Sequence, residues 1–586
     1  MSRRARITLL CLLVALVVFG RLLLLYYSEY VYDEEEYKTG SIAALIMDGP
    51  KLPLLEYQPG DYEGGTLLFG LLTVPFFALF GKTYFALKLL ALTTSLFMAI
   101  FAAWFAARHG GTPAAVATGV LFVLPPAYVA QVGLLPWGNY AENATLSLGM
   151  LVAASYLFAA KRPRLWQYFL FGAVLGLGVW IHYGFLVTVA LLALWWWVSR
   201  TSGLRHVAAA AVGGVVGFSP WIIYNITHNW WGLGRFADAV NKSPDAGSRI
   251  VAAVKRFGML LIDDIPAGLS FHAGTLAGTK ALSYLYYVLL LALTVTLVVL
   301  LRRRWRDGWR ALWPTKPRAV SDAALWSLAP VGFVLLYSLV YSVSDYDLFA
   351  RQWGTLDAEP YCHIFALYPM LLLSAGLAVG HAWRTRLRWP AATVAAVLAI
   401  MGVVAIGGLL TPNRPQHERL RRPAYDMGVI YMEIGSKWGA DHAQLTKIQR
   451  RLDGQALRSF IHGAGIKYGL DHPTSLPVAL DKCAAQSDAL VPYCLIGVGT
   501  GLYVGDAYLH LPQRNEVLRG SPAAARPWLT LGACVGNIWT GRADHWSCGL
   551  ASAIDVAALA PEGEKDDLPG FVSGHLAMLQ FRPQKE

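Results

Sequence analysis

Residues 66–80 read Thr-Leu-Leu-Phe-Gly-Leu-Leu-Thr-Val-Pro-Phe-Phe-Ala-Leu-Phe, fifteen residues without a charge. A bilayer-spanning helix takes about 20 apolar residues, so this run is ambiguous by length alone. Whether it crosses decides on which side of a membrane every later loop lies. Eleven other apolar runs surround it, at 7–25, 85–107, 114–135, 141–160, 166–181, 185–199, 207–223, 282–301, 323–341, 363–382 and 391–410. If 66–80 does not cross and the N-terminus is cytoplasmic, the inner loops hold Arg108, then Lys161, Arg162 and Arg164, then Arg200 and Arg205. They also hold Arg302, Arg303, Arg304, Arg306, Arg310, Lys316 and Arg318, and finally Arg384, Arg386 and Arg388. That sorting obeys the positive-inside rule. If 66–80 did cross, all these loops would lie outside while Arg3, Arg4 and Arg6 stayed inside. The run therefore reads as a juxtamembrane segment at the outer surface. The expected outer regions are loops 26–82, 136–142, 225–280 and 342–361 and the tail 411–586.

Composition agrees with a polytopic membrane protein. The chain is 56% apolar and only 15% charged, against roughly 25% charged in soluble domains, which excludes a purely soluble protein. A net charge of +12 would raise nucleic acid as a partner in a soluble chain. Here the arginines record orientation, and no nucleic-acid partner is expected. Six cysteines without a C-x-x-C pair exclude a disulfide-dense scaffold and the common zinc and thiol-redox motifs. The Ser2-Arg3-Arg4 start has the look of a twin-arginine signal, but the long apolar run without a small-residue cleavage site reads as a signal anchor. The expected fold is all-α: about 11 transmembrane helices over 1–410, then a mainly helical domain over 411–586. The expected location is a bacterial inner membrane, with the bilayer itself as a partner.

The first outer loop is acidic within a basic protein. Glu29, Asp33, Glu34, Glu35, Glu36, Asp48, Glu56, Asp61 and Glu63 crowd it, with Lys38 and Lys51 the only bases before Lys82. Glu35, Glu36, Asp48 and Glu56 read as solvated surface. Asp33 and Glu34 differ, because they follow the first spanning run closely and are held at the membrane surface. A carboxylate there can take a proton from a hydroxyl, or help hold a divalent cation against a phosphate.

The series Tyr32-Asp33-Glu34-Glu35-Glu36-Tyr37, then Gly40 to Gly49, Glu56-Tyr57-Gln58-Pro59, apolar 67–80 and Gly81-Lys82-Thr83-Tyr84-Phe85-Ala86-Leu87-Lys88-Leu89 resembles the opening of GT-C glycosyltransferases. It is most similar to the branch of protein O-mannosyltransferases and lipid A aminoarabinose transferases. The resemblance covers the order of elements to about residue 410 and is dense over the first 90 residues. It implies transfer of a sugar from a polyprenyl-phosphate donor to an acceptor hydroxyl at the outer face. By that resemblance Asp33 matches the catalytic carboxylate and Glu34 its acidic companion. The leaving phosphate then needs positive charge. Lys82 and Lys88 are candidates, Lys88 standing where the family carries a basic residue entering its second span. Arg351 is a third. Relatives often carry Arg-Tyr before a late span, whereas this chain has Glu359-Pro360-Tyr361-Cys362-His363, so Tyr361 matches and Arg351 or His363 substitutes for the arginine.

Weaker constellations accompany these. Trp137-Gly138-Asn139-Tyr140-Ala141-Glu142-Asn143 puts Glu142 at the membrane boundary on the face of Asp33, beside two interfacial aromatics. His182, between two apolar runs, faces the same side. The second outer loop mixes Arg235, Lys242, Arg249, Lys255 and Arg256 with acids and reads as an interfacial helix.

In the tail, Gly-x-Gly-x-x-x-Gly occurs at Gly463, Gly465, Gly469 and again, 36 residues on, at Gly499, Gly501, Gly505. A looser copy runs from Gly532 to Gly541. Such a period suggests stacked helix pairs with small residues at the crossings. No strand followed by a ribose-binding acid accompanies the glycines, so a dinucleotide fingerprint is set aside. Cys483, Cys494, Cys534 and Cys548 lie in this tail, where disulfides are permitted. Proximity favours 483 with 494 and 534 with 548, although four cysteines allow three connectivities.

Two other classes fit a multipass chain: a flippase or transporter of lipid-linked sugars, and a catalytically silent scaffold. A transporter would place polar residues within spans and show related halves, whereas here acids gather in one loop. The topology has a direct check: a reporter fused after Arg304 reads as cytoplasmic, and an external reading would contradict the assignment.

Overall fold

The computed structural model describes all residues except 1–2, 34, 59–63, 161, 200–202, 231, 234–245, 270–278, 313–322, 344–362, 414, 440, 473–474, 505–510, 540–550, 552–553 and 579–586. Its described residues form helices and no named strand, with one isolated bridge between Thr83 and Pro423. Five helices among them are long and apolar enough to cross a membrane: Thr8–Tyr27, Tyr84–Gly110, Leu204–Thr227, Ala281–Arg302 and Arg388–Leu409. These mark a membrane protein. The other expected spans coincide with shorter helices, such as Thr112–Val123, Leu165–Ile181, Ala329–Val343 and Leu367–Ala382. Thr112–Val123 stops early because Pro125 and Pro126 follow it, and the residue before a proline disfavours helix.

The chain divides into two compact units. The first gathers the described residues of Met1–Ala43, Tyr62–Leu348 and Ala358–Ala424; the second gathers those of Ala44–Asp61 and Tyr425–Glu586.

Within the first unit, helix crossings are made by small residues. Gly172 and Gly176 of Leu165–Ile181 lie against the backbone of Ala210 and Gly214 in Leu204–Thr227, and a Cβ at either glycine would collide with it. Lipid tails are as apolar as leucine, so close backbone packing rather than water exclusion drives such contacts. Leu367–Ala382 is buried along nearly its whole length and packs on Thr112–Val123, Thr279–Leu312 and Ala329–Val343.

The segment after the last long apolar helix folds back within this unit. Thr411 N donates to Tyr27 O (2.6 Å) and Gln416 N to Tyr26 O (2.8 Å). Further on, Tyr84 N donates to Arg422 O (3.0 Å) and Ala424 N to Lys82 O (3.2 Å). Three sequence-distant stretches thereby meet: the end of the first long helix, the start of Tyr84–Gly110, and residues 411–424.

In the second unit, longer helices Met427–Trp438, Gly454–Asp471, Val491–Val504 and Arg526–Trp539 pack in that order. Shorter helices His442–Gln449, Leu476–Ala484 and Leu511–Gly520 alternate with them. The tail glycines sit at the crossings: a Cβ on Gly465 would strike the backbone of Cys494, one on Gly501 that of Ile466, and one on Gly499 that of Leu529. A disulfide joins Cys483 to Cys494. Cys534 is also disulfide-bonded, while Cys548, its expected partner, lies outside the described residues. The second unit also takes in residues 44–61 of the first outer loop. There the Tyr57 ring meets Tyr431 edge-on at 6.1 Å, Lys437 Nζ donates to Gln58 O (3.2 Å), and Lys51 pairs with Asp453.

Gly501→Ala should destabilise the second unit by about 1–3 kcal/mol through overpacking, although alanine favours helix by about 1 kcal/mol over glycine. Gly570→Ala, where a Cβ meets nothing within 4 Å, should be neutral or stabilising. Thermal unfolding followed by circular dichroism compares them, and equal midpoints would contradict the crossing role of Gly501.

Candidate active site

The first long helix ends at Tyr27, and the Tyr32 hydroxyl donates to Leu25 O (2.9 Å), folding the chain back over the helix end. Asp33 and Glu36 are then tied together at the entry to the following helix, Glu36–Asp48. Asp33 Oδ1 accepts from Glu35 N (2.8 Å), and Glu36 Oε1 accepts from Asp33 N (2.7 Å). The Asp-x-x-Glu sequence thus shares one half of a capping box, the glutamate side chain reaching back to the aspartate N–H. Trp137 completes the frame, its Nε1 donating to Asp33 Oδ1 (3.2 Å). The Trp137 loop is itself held by Thr39 Oγ1 on Pro136 O (2.8 Å) and Thr66 Oγ1 on Trp137 O (3.0 Å). Gly138 has φ +88°, a left-handed conformation that glycine adopts without strain.

Asp33 is half-buried. Burial and the neighbouring charges of Glu35 and Glu36 push its carboxyl up to about 7, against the opposing hydrogen bonds from the Glu35 N–H and Trp137. A carboxyl poised near neutrality is suited to proton transfer.

Behind Asp33 lies a buried ion pair. Glu36 and Lys88 are both fully buried and in direct contact. The Lys88 ammonium also donates to the carbonyls of Val31 and of Leu134, the latter at 3.0 Å, and lies 4.7 Å from the centre of the Tyr32 ring. An ammonium has three protons, and all three are engaged. Burial pushes the Glu36 carboxyl up, while the adjacent Lys88 charge acts in the opposite direction.

These contacts correct two expectations. Glu36 reads in sequence as solvated surface, but it is buried; Glu56 is buried too, whereas Glu35 and Asp48 are exposed. Lys88 reads as a phosphate contact, but its ammonium is spent on Glu36 and two carbonyls. The Asp-x-x-Glu spacing and a lone lysine within an apolar helix are the signals that mark this pair.

A second group of expected residues gathers round Tyr140. Its ring meets Trp137 at 5.6 Å, His182 at 5.5 Å and His363 at 5.2 Å, edge-on in each case. His182 Nδ1 accepts from Gly184 N (3.0 Å) and lies 3.3 Å from Asn143 Nδ2. The Tyr337 hydroxyl donates to the carbonyl of His363. Glu142 is buried at the start of Tyr140–Leu157, where its carboxylate meets the backbone N–H groups of Gly138 and Asn139. Its Oε2 has no hydrogen-bond partner. Asp33, Trp137, Tyr140, His182 and His363 thus form one connected series. Lys82 stands apart from it at the Gly81–Thr83 turn. Glu34, Arg351 and Tyr361 lie outside the described residues. Among the described residues, no group of three or more His, Cys, Asp or Glu could hold a metal ion.

No protein-family model matches the chain, and no curated protein matches it.

Removing one partner of a buried ion pair costs about 3–5 kcal/mol, because the other charge is left uncompensated. Glu36→Gln should therefore lower the unfolding midpoint sharply, and Glu36→Gln with Lys88→Met should recover much of the loss. A Glu36→Gln protein as stable as wild type would contradict the pairing.

Proposed function

We propose that the chain is a GT-C-like glycosyltransferase with about eleven spans, its N-terminus cytoplasmic and its active site and helical-repeat tail on the outer face of a bacterial inner membrane. It moves a sugar from a polyprenyl-phosphate donor to an acceptor hydroxyl on a protein, lipid or glycan. The resemblance of residues 32–89 suggests the reaction class. The observation that carries the reading is Asp33, a half-buried carboxyl with a firm frame and a proton affinity close to neutrality.

In the proposed step, the ionised Asp33 carboxylate takes the proton of the acceptor hydroxyl as its oxygen attacks the anomeric carbon. The bond from that carbon to the phosphate oxygen breaks, and its electron pair leaves with the polyprenyl phosphate. The proton on Asp33 is later released to solvent. Trp137 holds the carboxylate in place, which confines the base to one orientation before the acceptor arrives. Glu142, Asn143, His182 and His363, grouped round Tyr140, offer polar atoms for sugar hydroxyls.

The test is transfer of radiolabelled sugar from a polyprenyl-phosphate donor by the purified full chain in bilayers. Wild type should transfer, and Asp33→Asn should lower kcat by about 10²–10⁴-fold while leaving the unfolding midpoint unchanged. The base must be deprotonated to act, so kcat/KM should fall as pH drops below about 7. A flat profile through neutrality, or near-normal turnover by Asp33→Asn, would refute the role. Movement of the lipid-linked sugar across the bilayer without transfer would favour a flippase instead.

A further inference from the structure

The apolar helices of the first unit leave a cavity that the proposed reaction does not use. Leu165–Ile181 and Leu204–Thr227 cross closely at Gly172 and Gly176, whereas the helix between them in sequence, Leu186–Ser199, packs on Ala329–Val343 instead. A wedge remains between the three, with a volume of about 640 Å³, within the range of roughly 300–1,000 Å³ found for ligand sites. It runs from Tyr168 and Val207 at one end to Tyr183 and Trp221 at the other. From Tyr168 to Val179 its wall follows about 16 Å of helix at about 1.5 Å per residue. That is the depth of one leaflet in a hydrocarbon core of about 30 Å. Leu186, Ala193, Ala211 and Val215 are exposed along it, so the wedge opens sideways. Its walls are aliphatic and aromatic, and the Trp221 indole is already satisfied by the Tyr183 hydroxyl, to which Nε1 donates (2.6 Å).

Positive charge marks the Tyr168 end. There Pro163 O lies 3.3 Å from His206 Nε2, and the His206 ring meets the Tyr168 ring at 5.0 Å, which brings the starts of Leu165–Ile181 and Leu204–Thr227 together. Arg162, Arg164 and Arg205 flank this contact and are exposed. Residues 143–237 contain no Asp or Glu, so no acid of these helices or of their connections competes for the three arginines. The positive-inside rule assigns this end to the cytoplasm. His182, on the side of Asp33, adjoins the opposite end. A hydrocarbon-lined groove of leaflet depth that ends at a cytoplasmic cluster of arginines matches an amphiphile with an acyl chain and an anionic head. Its head belongs in the leaflet away from the proposed reaction, which separates this ligand from the sugar carrier.

We propose that the groove seats one acyl chain of an anionic glycerophospholipid of the cytoplasmic leaflet, a phosphatidylglycerol, with its phosphate among Arg162, Arg164 and Arg205. The lipid is structural: it fills the space that side chains leave open between Leu186–Ser199 and Leu204–Thr227. The inference takes its leaflet from the proposed orientation and does not depend on glycosyl transfer.

The test is native mass spectrometry of the full chain in detergent, titrated with phosphatidylglycerol and phosphatidylcholine of identical acyl chains. Wild type should retain one phosphatidylglycerol, bound about tenfold or more tightly than phosphatidylcholine, the scale expected of two or three basic residues beside an anionic lipid. Arg162→Gln, Arg164→Gln and Arg205→Gln together should bring the two lipids within about twofold of each other. Arg384→Gln with Arg386→Gln, exposed arginines of another loop, should keep the wild-type preference. Ala193→Trp and, separately, Ala211→Trp should weaken both lipids, because an indole takes the space of the acyl chain; two positions guard against one variant that fails to fold. Equal affinity of wild type for the two lipids would overturn the head-group contact. Unchanged binding in both tryptophan variants would overturn the groove as the seat. A loss of preference as large in the Arg384 and Arg386 variant would reduce the effect to general surface charge and overturn the assignment. Complete displacement of the phosphatidylglycerol by equimolar farnesyl phosphate would give the groove to a polyprenyl phosphate and overturn the phospholipid.

Discussion

The buried contact between Glu36 and Lys88 holds the rest of the site in place. A single charge in such surroundings is costly, and an ion pair there persists only when its remaining hydrogen-bonding groups are also satisfied. Here the pair ties together three pieces of chain. Glu36 binds the backbone N–H of Asp33, and Lys88 binds the carbonyls of Val31 and Leu134. Leu134 leads three residues later to Trp137, which binds the Asp33 side chain. One ion pair thus fixes the backbone on both sides of the candidate base and anchors the loop that supplies its side-chain partner. In the proposed reaction, a carboxylate held in this way would be oriented before the acceptor arrives, the condition under which a general base is most effective.

Positive charge in this chain serves three separable ends. The arginines between apolar runs account for much of the +12 net charge and set the proposed orientation. Lys88 is architectural, its charge consumed inside the protein. Arg419 lies over the Tyr32 ring, half-buried, with Arg421 and Arg422 exposed beside it. Negative charge divides similarly: Glu35 and Asp48 face solvent, Glu36 is spent on Lys88, and Asp33 is left with a raised proton affinity. Burial, rather than the count of charges in the loop, decides which acid is available for chemistry.

The helical class was legible because hydropathy runs report local periodicity, and the tail crossings were legible because a repeated spacing of glycines marks a helix face on which another backbone comes close. Helix lengths were less legible: Pro125 and Pro126 end a run that hydropathy alone carries to residue 135. The place of Asp33 was legible from its position after an apolar run. Glu36 and Lys88 were misread because their partnership joins positions 52 residues apart: the Asp-x-x-Glu spacing and the lone lysine each mark an unusual residue, but neither names the other as its partner. Trp137 looked like an interfacial anchor, since nothing near it names Asp33 as its partner. The contact of Arg419 with the Tyr32 ring gave no signal at all: it depends on the return of the segment after the last long apolar helix to the first and second long helices, which are distant in sequence. The inclusion of residues 44–61 in the second unit was hidden for the same reason.

The central claim is that a polyprenyl-phosphate sugar is cleaved at the outer end of the first long helix beside Asp33. Its most direct test is an experimental density map of the full chain with bound polyprenyl phosphate. The account predicts phosphate density beside Asp33, with Lys88 still enclosed against Glu36. Phosphate density at another face of the molecule, with the Asp33 site empty at saturating ligand, would contradict it.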